Sequence, residues 1–158
     1  MTTLYSFANY PAGGGPLAGL TEASDAHFYG VAGGPGNAGS VFRIDAKGRV
    51  VVLHAFATDG SEGSDPSAVL IEGRGGKLYG VTSAGGASHA GTVFSVSLDA
   101  EADVVHVTVL HSFENGTGGS LPAAGLIQDI DGALYGTAEG SPNSPGIIFR
   151  LSVGVAPR

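Results

Sequence analysis

The sequence predicts an all-β fold made of three four-stranded units in tandem, and three observations carry that reading. One motif occurs three times, as Pro16-Leu17-Ala18-Gly19-Leu20, Pro66-Ser67-Ala68-Val69-Leu70 and Pro122-Ala123-Ala124-Gly125-Leu126. A Tyr-Gly pair follows each copy at a constant distance, at Tyr29-Gly30, Tyr79-Gly80 and Tyr135-Gly136. Every copy then continues through a Gly-rich stretch to a β-branched and aromatic segment. Self-similarity with a period of about 50 residues marks a repeat architecture, in which each unit covers its apolar faces with its neighbours.

The elements follow in order. The Pro-Leu segment opens each unit as its first strand. A turn joins it to the Tyr-Gly strand, with Gly75-Gly76 in the second copy and Asp131-Gly132 in the third supplying the positive φ of a tight hairpin. Asp25-Ala26 in the first copy fits that requirement less well. The third strand is Gly39-Ser40-Val41-Phe42-Arg43-Ile44, Gly91-Thr92-Val93-Phe94-Ser95-Val96 and Gly146-Ile147-Ile148-Phe149-Arg150-Leu151. A fourth strand ends in Leu53-His54-Ala55-Phe56 or Leu110-His111-Ser112-Phe113, with Leu4-Tyr5-Ser6-Phe7 as its N-terminal counterpart. The segments are short, rich in strand-forming residues and bounded by Gly, Pro, Asp or Asn, so no helix is expected.

The 158 residues read as one repeat domain, residues 1–158, with units at about 1–44, 45–98 and 99–158. Although 28 residues are Gly, 42% are apolar and the mean hydropathy is +0.21, so the chain should fold. A formal charge of −7 repels nucleic acid and anionic lipid. With no cysteine there is no disulfide framework and no thiolate metal site, and packing must supply the stability. No apolar run approaches a membrane span, and the N-terminus lacks the basic and apolar regions of a signal peptide. A soluble chain that begins inside a structural element is expected; its compartment is not legible.

These motifs resemble the Gloeo/Verruco (GloVer) tandem repeat of bacterial proteins, which are often exported. The order of small-residue, Tyr-bearing and Val-Phe strands is also similar to NHL-type β-propeller blades, whose first strand is innermost. The resemblance implies fold more than function. Closed propellers usually need four or more blades. Because the chain opens on a fourth-type strand and ends on a third-type one, two copies could complete each other's blades. The expectation is therefore a six-bladed propeller completed by a homodimer, with a β-trefoil monomer as the alternative.

In a propeller the outer-to-inner loops and the loops between second and third strands share one face, where ligands bind. The outer-to-inner loops are Ala8-Asn9-Tyr10-Pro11 onward, Thr58-Asp59-Gly60-Ser61-Glu62-Gly63-Ser64-Asp65 and Glu114-Asn115-Gly116-Thr117. Asp59, Ser61 and Asp65 offer the hard oxygens that Ca²⁺ prefers, although no complete calcium loop is present and a solvated acidic loop has the same composition. Asp129-Ile130-Asp131-Gly132 also begins like a calcium loop, but its place in the repeat makes it a hairpin turn. Glu22, Glu72 and Gln128 occupy equivalent inner-strand positions and are candidates for a metal-holding ring, as in the calcium-dependent propeller hydrolases; polar lining of a wet channel is the plainer role.

His89, in a loop without counterpart in the other copies, and Glu139 are the candidate catalytic groups on the ligand face. His54 and His111 match Tyr5 and suit outer-strand packing; His27 and His106 have no supporting constellation. Asn115-Gly116-Thr117 is a formal glycosylation sequon. No nucleophile elbow, phosphate loop, zinc-protease motif or dinucleotide fingerprint occurs. Two functional classes remain. One, by analogy with the gluconolactonase and paraoxonase propellers, is a calcium-dependent hydrolase of lactones or esters, acyl-homoserine-lactone-type small molecules among them. The other is a non-catalytic surface or carbohydrate-binding module, in which stacking would rest on Tyr and Phe because Trp is absent.

Overall fold

The computed structural model describes residues 1–7, 14–34, 37–98, 105–116, 119–140 and 145–154. Its strands form three separate antiparallel sheets, one for each repeat. Sheet I contains β1 (Gly15–Pro16), β2 (Thr21–Glu22), β3 (Phe28–Gly34), β4 (Asn37–Ile44) and β5 (Val50–Ala55). Sheet II contains β6 (Ser64–Pro66), β7 (Ile71–Glu72), β8 (Leu78–Ala84), β9 (Thr92–Leu98) and β10 (Val105–Ser112). Sheet III contains β11 (Ile127–Gln128), β12 (Leu134–Ala138) and β13 (Ile147–Leu151). No strand of one repeat pairs with a strand of another among the described residues, which is the organisation of stacked sheets and not of a single closed barrel.

The first strand is broken in sheets I and II where a continuous strand was expected, and in sheet III only its second part, β11, is a strand among the described residues. In sheet II, Ser64 pairs with Ala84 and Pro66 with Thr82, then the chain leaves the ladder and returns at Ile71 opposite Tyr79. The motif explains the break. Proline brings no N–H to a ladder, and the leucine that ends the motif turns inward instead. A Cβ on Gly80 would lie 2.7 Å from Leu70 and 2.6 Å from the Phe94 ring, so only glycine lets both side chains cross the second strand. Gly30 has the same relation to Phe42 and Leu20, and Gly136 to Phe149 and Leu126. Close packing around a missing side chain is what conserves the spacing of the Tyr-Gly pair within the chain.

Two features concern the edges. Residues 4–7, expected as a fourth-type strand, form none: the stretch lacks the third-strand neighbour that β4 gives β5 and β9 gives β10. Sheet III correspondingly ends at β13, with three strands among the described residues. Among the described residues, helix is confined to one 3₁₀ turn at Arg74–Gly76.

The core lies between sheets. Tyr29, Val31 and Val41 of sheet I meet Leu70, Leu78, Phe94 and Val96 of sheet II, with Phe56 sealing the layer. Tyr79, Val81 and Val93 of sheet II meet Leu126 and Leu134 of sheet III, with Phe113 in the sealing position. Each sheet therefore offers its Tyr and Val side to the next sheet and receives the previous one on its Leu and Phe side. Burial supplies most of the favourable free energy of such a stack.

Candidate functional site

The outer-to-inner loop that links sheets I and II is held at both ends and from below. Gly60 accepts from the Gly86 N–H at 2.8 Å, which ties this loop to the second–third-strand loop of sheet II. The Glu62 carboxylate takes the His54 Nε2–H at 2.9 Å and the Ala57 N–H at 3.3 Å. Beneath them the Thr82 and Thr92 hydroxyls bond at 2.9 Å, and Gly63, at φ 105°, passes so near Thr82 that a Cβ there would stand 2.3 Å from its Oγ1. The His89 loop is fixed by the His89 N–H to Gly86 at 3.2 Å and by Asn115 Nδ2 donating to Ser88 at 3.0 Å.

Between these loops is an open cavity of about 420 Å³, lined by Asp59, Ser64, Asp65 and His89, with Ala38, Thr58, Gly60, Ala84 and Gly85 completing the wall. Three of the residues singled out in the sequence thus meet at one place. Asp65 and His89 both take φ 55°, a left-handed backbone that side-chain-bearing residues rarely adopt. Held conformations of this kind gather at ligand-binding positions. The Ser61 N–H, at 2.9 Å, keeps the Asp59 carboxyl below the usual carboxylate range, so the rim carries negative charge at neutral pH. No Lys or Arg is among its lining residues.

The remaining candidates lie elsewhere. Glu139 is exposed in sheet III, its N–H directed to Leu121, and does not line this cavity. Glu72 accepts the Ser24 hydroxyl at 2.6 Å and the Ser24 N–H at 3.0 Å. Gln128 accepts the Arg74 N–H at 2.8 Å and donates to Gly132 at 2.9 Å. Both therefore clasp the first hairpin turn of the preceding sheet. Glu22, the equivalent residue in sheet I, is exposed. Among the described residues no group of three or more His, Asp or Glu side chains is placed to hold a metal ion. The loop at residues 8–13 lies outside the described residues, as does Thr117 of the sequon. Sequence reasoning placed Thr58 and Ser64 in the ligand-face loop without assigning them a part, gave none to Ala38, and could not show Glu62 as a strut, a role that appears only once His54 is beside it.

The model of the Gloeobacter/Verrucomicrobia repeat matches residues 1–155. The chain belongs to that repeat family. No curated protein matches it. Among solved structures it is similar to a crystallised protein assigned as a gluconolactonase, at 16% sequence identity and a TM-score of 0.53. That likeness covers 84% of this chain and 47% of the other, so the chain spans about half the length of its structural neighbour. At this identity the likeness is one of fold.

Proposed function

We propose that this repeat protein binds a small neutral lactone or ester in the cavity between sheets I and II and hydrolyses it, with His89 moving the proton. The observation that carries the reading is the convergence of His89, Asp59 and Asp65 on one cavity, on rigidly tied loops. A rim with two carboxylates disfavours an anionic substrate and favours the departure of an anionic product. Hydrolysis of an uncharged lactone to a hydroxy acid has that charge pattern.

In the proposed reaction, water attacks the carbonyl carbon while the His89 imidazole accepts its proton. The ring C–O bond then breaks, and the alkoxide oxygen recovers a proton from the imidazolium. One lactone and one water give one hydroxy acid. Imidazole suits both transfers because it exchanges protons near neutral pH. The fold likeness to a gluconolactonase supports the same class of substrate.

Calcium, expected here from the sequence, would find two carboxylates, Asp59 and Asp65, where it prefers six to eight oxygens. Those two do not make a cage. A panel of lactones and aliphatic esters, followed by acid release at constant pH with calcium or with chelator, tests the proposal. Acid release that falls at least tenfold in His89→Gln supports it, and calcium dependence would assign the ion a part. No release from any member leaves a non-catalytic small-molecule-binding module.

A further inference from the structure

Repeat-equivalent residues differ sharply in exposure at the two ends of the stack. On the side that each sheet offers to the next, Val41 and Val93 are 0% exposed, while their counterpart Ile148 in sheet III is 82% exposed. On the receiving side, Leu70 and Leu126 are 1% and 3% exposed, while Leu20 in sheet I is 50% exposed. Pro66 and Pro122 are likewise buried and Pro16 exposed. Sheet III thus ends in an uncovered offering face, and sheet I in an uncovered receiving face. The two faces are the halves of the interface already built twice within the chain.

The aromatic seals repeat in the same way. Phe56 meets Phe94 with ring centroids 5.2 Å apart, and Phe113 meets Phe149 at 5.2 Å. Phe7 meets Phe42 at 5.3 Å in the same edge-on manner. Residues 4–7 therefore sit against sheet I as the end of β5 sits against sheet II, although they join no sheet. The clasp has its missing member too. The Ser24 N–H goes to Glu72 and the Arg74 N–H to Gln128, whereas the equivalent Ile130 N–H goes to the Asp129 carboxylate at 2.7 Å within the single chain, and a second copy would offer it Glu22 instead.

We propose that a second copy of this chain, related by a two-fold axis, covers both ends at once. Sheet III of each copy packs against sheet I of the other, and residues 4–7 of each add to β13 of the other as the absent fourth strand. Register follows from the existing ladders, in which His54 pairs with Val41 and His111 with Val93. Tyr5 of one copy then lies opposite Ile148 of the other, and Ser6 opposite Ile147. Six sheets close into a ring in which β13 is covered and each sheet ends on an outer strand as sheets I and II already do, the arrangement that an isologous pair achieves most simply. Two copies also restore the length of the solved chain of which one copy covers 47%.

Light scattering on the eluting 158-residue chain should give twice its 15.6 kDa mass. Ile148→Asp, at a position exposed in the single chain, should halve that mass while the strand signature and cooperative melting remain. The chain has no cysteine of its own, so Tyr5→Cys with Ile148→Cys should give disulfide-linked dimers on mild oxidation that separate on reduction. A wild-type mass of one chain or of a larger assembly overturns the proposal. So does an Ile148→Asp dimer, or a dimer that the paired cysteines fail to link.

Discussion

The Phe94 ring lies across Gly80, its Cζ 2.6 Å from the place a Cβ on that residue would occupy. Leu70 approaches the same point to 2.7 Å, so the second strand of sheet II is gripped from one side by two side chains of its own unit. Phe94 is fully buried and in turn receives Phe56 from sheet I. One absent methyl group thus couples a strand to the packing between sheets.

Gly80→Ala should therefore destabilise the fold by about 1–3 kcal/mol, the usual cost of overfilling a packed core. In the Ile148→Asp background, where the single chain leaves Leu20 half exposed and able to swing away from a new methyl group, Gly30→Ala should cost less. Urea titrations of the two variants check the order. Equal losses, or a larger loss at Gly30, would contradict this account of the Tyr-Gly pair.

Acid should weaken the fold through its turn aspartates. Backbone N–H groups of Arg49, Ser61 and Ala133 hold Asp45, Asp59 and Asp131 below the ordinary carboxylate range, Asp131 with further help from Arg150. Burial pushes Asp25 up, but the Tyr29 hydroxyl at 2.6 Å and the His27 N–H together outweigh it and bring it down as well. A carboxyl whose folded value is depressed contributes stability above its unfolded value, near 3.9, and loses it as pH falls through the folded value. The melting temperature should accordingly fall as pH drops below about 4, under the range in which histidines titrate. Asp131→Asn should flatten part of that fall. A melting temperature that holds steady or rises over that drop in pH would contradict the assignment.

Much of this architecture was legible because a repeat prints the same constraint three times. The Tyr-Gly and Val-Phe segments, Ile-Phe in the third copy, fall on successive strands, and His54 and His111 lie on outer strands as their match to Tyr5 implied. The broken first strand was not legible, since it depends on where Leu70 turns after Pro66. Nor was the conformation of the first hairpin. Asp25 accepts the His27 N–H as Asp131 accepts that of Ala133, which forces Ala26 to φ 63° where the other copies use glycine. At the site, the acidic loop and His89 could be named separately. That they share a cavity depends on the Gly86 to Gly60 bond between two loops, which no local pattern records. Glu72 and Gln128 could equally have lined a channel or clasped a neighbouring turn, and only the partner atoms distinguish the two.

The proposed site takes up small ligands beside His89, whether or not they are turned over. The chain has five histidines, and their imidazole proton resonances can be followed by NMR while a lactone or its hydroxy acid product is added, with His89 assigned through His89→Gln. The account predicts that the His89 resonance moves and saturates, that Asp59→Asn and Asp65→Asn reduce the effect, and that His106 and His111 on the outer strand β10 stay fixed. A His89 resonance that stays still while those of His106 or His111 shift with the ligand would contradict it.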